Sequence, residues 1–244
     1  MGTKFTIEKN ERLTRDVYRM LLAGDASGIT RPGQFVNVQL TGRYLRRPLS
    51  VCDWTDDTLT LIYKVVGGGT RQMSTMRRGE RLDLLCPLGN GFDVSACAGK
   101  HTVLIGGGVG VPPMYGLAKR LFERGEQFSV VLGFRNAGEV FYENEFEDLG
   151  CAVTVTTDDG SRGLRGNVCN ALRAMKYDHY CACGPQPMLR GVHALGGEGQ
   201  LSFEERMGCG FGACMGCSCH TLVGDKRVCV DGPVFRSGEV TFGE

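Results

Sequence analysis

Apolar and polar residues alternate in short runs through the first hundred positions. Phe5-Thr6-Ile7-Glu8 is the first run, and Val17–Leu22, Phe35–Leu40, Leu59–Lys64 and Arg81–Leu85 follow. A period of two marks half-buried strands, and turn residues such as Arg31-Pro32-Gly33-Gln34 separate them. Many short strands with Gly and Pro punctuation predict a small antiparallel barrel. From His101 the pattern changes. Apolar runs at Thr102–Ile105, Ser129–Phe134, Ala152–Thr156 and Tyr180–Cys183 alternate with helical stretches near Met114–Arg124, Glu143–Leu149 and Val168–Met175. Strand, glycine turn and helix in repetition predict a parallel α/β sheet with right-handed crossovers. A short helix is also expected over Thr70–Met76, behind three glycines. The expected units are residues 1–98, 99–200 and 201–244.

A chain of 244 residues can bury about 70% of its unfolded surface and needs no disulfide staples. Its net charge of +1, with both signs interspersed, argues against a nucleic-acid footprint. No apolar run approaches the ~18 residues of a membrane span, and Met1–Glu8 lacks the apolar core of a secretion signal. A cytoplasmic protein is expected.

The cysteines change this picture. Cys209, Cys214 and Cys217 are separated by four and then two residues, and Cys229 follows after eleven more. That is the plant-type spacing for a [2Fe–2S] cluster. Gly208, Gly210, Gly212 and Gly216 can take positive φ, so the backbone can close around an inorganic core with its N–H groups toward the sulfurs. Zinc is the rival, although four-cysteine zinc sites usually pair two Cys-x-x-Cys knuckles. Cys219, two positions past Cys217, competes for the third ligand place.

Two segments of the barrel carry other chemistry. Arg47-Pro48-Leu49-Ser50 offers a guanidinium fork and a hydroxyl. Ile62-Tyr63-Lys64 leads through Gly67–Gly69 into Thr70, where a helix N-terminus can cradle phosphate. In the second unit, Gly106–Gly108 and Gly110 end the first strand, with Pro113 where a strict dinucleotide fingerprint has its third glycine. Asp158-Asp159-Gly160-Ser161 and Cys183-Gly184-Pro185 follow later strands, and ligands of such sheets sit at these carboxyl ends. Arg135 favours a 2′-phosphate and the Asp158–Asp159 pair disfavours it, so NAD and NADP both stay open.

With the Pro87–Phe92 segment, these motifs resemble the ferredoxin reductase superfamily. The resemblance implies an N-terminal flavin-binding barrel, a nicotinamide-binding α/β domain and a C-terminal [2Fe–2S] subdomain. It implies FAD contacts at Arg47, Pro48, Leu49, Ser50, Ile62, Tyr63, Lys64, Gly69 and Thr70. Nicotinamide contacts fall on Gly107, Gly108, Gly110, Asp159, Cys183 and Gly184, and the metal ligands are Cys209, Cys214, Cys217 and Cys229. From Leu201 to Gly210 and from Val228 to Phe235 the chain resembles the family of electron-transfer subunits that serve type B dihydroorotate dehydrogenases.

That family implies an oxidoreductase linked to NAD+ in pyrimidine synthesis, with no side chain acting as acid or base. No stretch remains for an organic substrate, since an FMN barrel alone needs about 250 residues. The implied partner is an FMN-containing dihydroorotate dehydrogenase catalytic subunit, two of each chain. Three alternatives stand beside it: a subunit coupling NAD(P)H to ferredoxin, a hydrogenase or sulfur compounds; a stand-alone flavin reductase; and a zinc-stabilised binding module.

Overall fold

The computed structural model describes residues 2–242. Strands β1 (Thr3–Arg12), β2 (Val17–Ala23), β3 (Phe35–Gln39), β4 (Arg47–Trp54), β5 (Thr58–Lys64) and β6 (Arg81–Leu88) close a barrel in the order β1-β2-β5-β4-β3-β6. Helix α1 (Gly68–Thr75) fills the connection from β5 to β6. The alternation in the sequence is the alternation of the pleat: Phe5 and Ile7, then Leu59, Leu61 and Tyr63, point into one apolar core. Strand β4 carried no clear period-two signal, because it opens on Arg47-Pro48. Pro48 lacks a donor yet sits opposite Asn37 in an antiparallel pairing.

The second unit is a seven-stranded sheet. Strands β7 (Thr102–Gly107), β8 (Phe128–Phe134), β9 (Ala152–Thr157), β10 (Leu164–Arg165), β11 (His179–Cys183) and β12 (Gly199–Ser202) are parallel. A last strand, β15 (Val234–Arg236), adds antiparallel to β12. The order is β10-β9-β8-β7-β11-β12-β15. Chain order therefore reverses between β7 and β11, and the crevice of such sheets opens at that reversal. Helices α2 (Val111–Glu123), α3 (Glu143–Glu147), α4 (Val168–Leu172) and α5 (Gln186–Ala194) cover the sheet.

Helix α2 starts before the expected Met114, with Pro112 and Pro113 in its first turn, where missing N–H groups cost no hydrogen bond. Helix α4 stops at Leu172, three residues before the expected end. Strands β10, β12 and β15 and helix α5 had no periodic signature of their own.

The barrel and the sheet are joined through α2. An added Cβ at Gly116 would lie 2.7 Å from the Cys52 carbonyl oxygen, so only glycine permits this approach to β4. Lys119 Nζ reaches Asp53 at 2.7 Å, and the Arg120 guanidinium stacks 4.4 Å from the Trp54 ring centre.

The C-terminal segment lies across both units. It contains the hairpin β13 (Ser218–Thr221) and β14 (Gly224–Arg227). Asn90 Nδ2 donates to Asp231 O at 2.6 Å, and Asn37 Nδ2 donates to Cys209 O at 3.2 Å. Cys217, Val228 and Cys229 are buried in the same core as Phe35 of the barrel and Val103 of the sheet.

Candidate cofactor sites

Three sites follow from this architecture. The first is a cavity of about 370 Å³ between the barrel and the sheet. Arg47, Pro48, Leu49 and Ser50 reach it from β4, Ile62, Tyr63 and Lys64 from β5, and Thr70 from α1. Gly69 stands at its edge: an added Cβ there would fall 2.4 Å from Arg47 Nε. The same construction at Gly68 meets Arg43 at 2.8 Å. Two guanidinium groups thus lie over the N-terminus of α1, and the Thr70 hydroxyl accepts from the Val66 and Gly67 N–H groups at 3.0 and 3.2 Å. Cationic side chains on a helix N-terminus, with glycines that leave the approach open, suit a diphosphate. The apolar remainder suits a flat ring system. Arg43 lacked a family motif to mark it in the sequence. Phe35, Val109 and Pro233 also line the cavity, with Phe203, Glu204, Glu205 and Met207 from the C-terminal segment. No local pattern could have announced a wall that arrives from more than a hundred residues away.

The second cavity, about 330 Å³, opens at the carboxyl ends of the parallel strands. Gly107 and Gly108 line it, together with Phe134, Arg135, Asp158, Asn167, Pro185 and Met188. Gly110, Cys183 and Gly184 do not line it but pack against one another and against Gly107, which does. A Cβ at Gly110 would stand 2.1 Å from the Cys183 carbonyl oxygen, and one at Gly184 would stand 3.1 Å from the Gly107 Cα. The carboxyl ends of β7 and β11 therefore touch backbone to backbone. Asp159 is turned away, accepting from the Ser161 N–H and hydroxyl at 2.9 and 2.6 Å; of this pair it is Asp158 that lines the cavity, together with Glu139 and Glu204.

Lys64, Val109 and Glu204 line both cavities. Lys64 is held by Asp16 at 3.3 Å and Glu139 at 3.6 Å. Glu204 keeps contact with solvent, yet the protein around it desolvates the carboxyl and raises its pKa above the ordinary value. Two groups bound in these cavities would meet at this junction.

The third site is the cysteine loop. Gly210 and Gly212 have φ of +81° and +90°, and Met215 of +57°. An added Cβ at Gly210 would fall 2.4 Å from Asn37 Nδ2, so this turn requires glycine twice over, for space and for conformation. The backbone is wrapped on the sulfurs. The Ala213 N–H donates to Cys209 Sγ at 3.2 Å, and Cys209 N–H to Cys214 Sγ at 3.4 Å. Cys229 N–H donates to Cys217 Sγ at 3.4 Å. Burial opposes ionisation of Cys209, but the Phe211, Cys214 and Ala213 N–H groups and the Cys214 thiol outweigh it and bring its pKa down to about 6.

The four sulfurs fall into two pairs, Cys209 with Cys214 and Cys217 with Cys229. Among the described residues, no three of them lie mutually within 4.8 Å. Four thiolates on one zinc at ~2.3 Å would sit roughly 3.8 Å apart. Two separated pairs fit two metal ions better than one. Cys219 lies on β13 opposite Lys226 and belongs to neither pair. Cys214 is exposed, and Phe211 and Met215 beside it are each 58% exposed.

Barrel, parallel sheet and cysteine tail define the chain as a reductase of the ferredoxin reductase type. Comparison with known proteins agrees. Residues 104–194 match the oxidoreductase NAD-binding domain, and residues 204–241 match the iron–sulfur cluster binding domain of dihydroorotate dehydrogenase B. The dihydroorotate dehydrogenase B (NAD(+)) electron transfer subunit of Geobacillus sp. (strain WCH70) is 43% identical over 98% of both chains. Its counterpart from Fusobacterium nucleatum is 41% identical over 96% of both. A solved NADH-dependent reduced ferredoxin-NADP oxidoreductase superposes with a TM-score of 0.87 at 31% identity, covering 97% of this chain and 89% of that one. This chain belongs to the family of dihydroorotate dehydrogenase B electron transfer subunits.

Proposed function

We propose that this chain carries electrons between a catalytic partner subunit that oxidises dihydroorotate and NAD+. The carrying observation is the arrangement of the three sites. The two cavities share Lys64, Val109 and Glu204, while Glu204, Glu205 and Met207 run from the first cavity directly into the cysteine loop. When bound, a flavin exchanges electrons in pairs with a nicotinamide and singly with an iron–sulfur centre, so it belongs between the two.

The residues then have separate tasks. Arg47, with Arg43 and the N-terminus of α1, holds the FAD diphosphate. Pro48, Leu49, Ser50, Ile62, Tyr63, Lys64, Gly69 and Thr70 shape the rest of that site. Gly107, Gly108, Gly110, Cys183 and Gly184 let a dinucleotide approach the backbone, and Asp158, in place of Asp159, meets it from the cavity wall. Cys209, Cys214, Cys217 and Cys229 hold the [2Fe–2S] cluster. The functional units are residues 1–98, 99–200 and 201–244, the last tied to the sheet by β15.

The partner carries FMN, two copies of each chain form the complex, and it works in the cytoplasm. The exposed Phe211, Cys214 and Met215 support docking at the cluster. Among the described residues no helix is long and apolar enough to cross a membrane. The test is reconstitution with the catalytic subunit. Dihydroorotate-dependent NADH formation is expected, and its absence in a fully loaded complex would refute the assignment. The likeness to the NADH-dependent ferredoxin-NADP oxidoreductase favours a second reading, in which the cluster serves ferredoxin. NADH-driven ferredoxin reduction without orotate-linked turnover would select it.

A further inference from the structure

A second group of metal-ligand side chains lies in the core, away from all three sites. The sulfurs of Cys97 and Cys181 and a ring nitrogen of His179 lie within 4.8 Å of one another. The three residues are 0%, 0% and 2% exposed. His179 and Cys181 are alternate residues of β11 and so share a face of the sheet. Cys97 ends a 3₁₀ turn, Val94–Cys97, on the chain that leads from barrel to sheet. The location is the amino edge of the sheet, where β7 and β11 begin, opposite the edge that carries the glycine turns.

The surroundings are polar for a core. Thr102, opposite His179 in the pairing of β7 and β11, is fully buried, and its Oγ1 has no hydrogen-bond partner. His179 Nδ1 has none either. Leaving such groups unpaired in a core is unfavourable. Gln200 is fixed by the Asp93 backbone, accepting from its N–H at 2.7 Å and donating to its carbonyl at 3.1 Å. That holds Gln200 Nε2 3.3 Å from His179 Nε2 and 3.8 Å from Cys181 Sγ.

We infer that Cys97, His179 and Cys181 form a structural site for one zinc ion. Two thiolates and a neutral imidazole cancel the charge of a divalent cation, so the filled site brings no net charge into the core. Zinc takes sulfur at ~2.3 Å and imidazole nitrogen at ~2.0–2.1 Å. The ligand atoms already lie within 4.8 Å of one another, against the roughly 3.8 Å between two sulfurs on one tetrahedral zinc. The Thr102 hydroxyl or a water completes the tetrahedron, and the two thiol protons leave to solvent. The ion pins the linker at Cys97 to β11 and thereby fixes the barrel against the sheet.

The test is metal counting on the holoprotein with its cluster intact, after exposure to zinc and exhaustive dialysis. One zinc beyond the two irons of the cluster is expected per chain. Cys97→Ala should retain iron and flavin and lose the zinc. Zinc absent from the wild type, or retained in Cys97→Ala, would overturn the inference. Should Cys97→Ala fail to fold, the zinc X-ray absorption spectrum of the wild type decides. Sulfur scatterers at about 2.3 Å with nitrogen near 2.0 Å support the site, and a shell of oxygen alone refutes it.

Discussion

Between Gly208 and Gly216 the backbone follows no regular element, and its N–H groups turn onto the cysteine sulfurs through residues at positive φ. The cavity between barrel and sheet is built the other way. Its walls are strand ends and one helix N-terminus, held by two packed cores, and its lining comes from six separate stretches of chain. The loop carries three cysteines within nine residues, Cys209, Cys214 and Cys217, so its geometry is local. The cavity exists only when distant elements dock. A group in the loop therefore depends on individual ligands, whereas a group in the cavity depends on many modest contacts.

Single substitutions should break the two regions unequally. Cys214→Ser should have the largest effect. The cluster is lost outright while the flavin stays, so NADH still reduces a dye and transfer to the partner stops. Iron analysis and visible spectra check this, and retained cluster bands would contradict it. Arg47→Ala should weaken rather than abolish flavin binding. A charge-assisted hydrogen bond is worth about 1.5–3 kcal/mol, so flavin affinity should fall roughly 10- to 150-fold. Dissociation followed by flavin fluorescence measures it, and unchanged retention would move the diphosphate elsewhere.

Gly110→Ala probes the backbone contact beneath the second cavity. Its Cβ would fall 2.1 Å from the Cys183 carbonyl oxygen, so the two strand ends must part. Such overpacking costs about 1–3 kcal/mol, which for a chain of this size lowers Tm by roughly 2–12 °C. The KM for NADH should rise with it, while flavin content stays constant.

The smallest effect concerns Glu204. Its carboxyl pKa is raised in the folded protein by desolvation, so the native state binds the proton more tightly than the unfolded chain. Its contribution is present at low pH and is lost as pH rises through the folded value. Glu204→Gln should therefore gain on the wild type as pH increases from the ordinary carboxylate range upward. A melting-temperature difference that is flat with pH would show that the carboxyl is not desolvated at the junction.

The zinc inference sharpens the contrast. Nothing in the spacing of Cys97 and Cys181 links them in the sequence. Only the packing of the linker against β11 brings them beside His179. The cluster cysteines, by contrast, announce themselves by spacing alone.

Periodicity was enough to predict the barrel and the parallel sheet, because a pleat buries every second residue and leaves that record in the chain. The residues of β4, β5 and α1 that line the first cavity were legible for a similar reason: an arginine fork and a glycine-lined helix start are short-range devices. What the sequence did not contain was the closure of the first cavity by Phe203–Met207, the placing of Asp158 and not Asp159 on the wall of the second, and the joining of β15 to the sheet. Each depends on where a segment lands after the cores have formed. Local pattern determines which elements exist, and burial of their apolar faces against one another decides which residues meet.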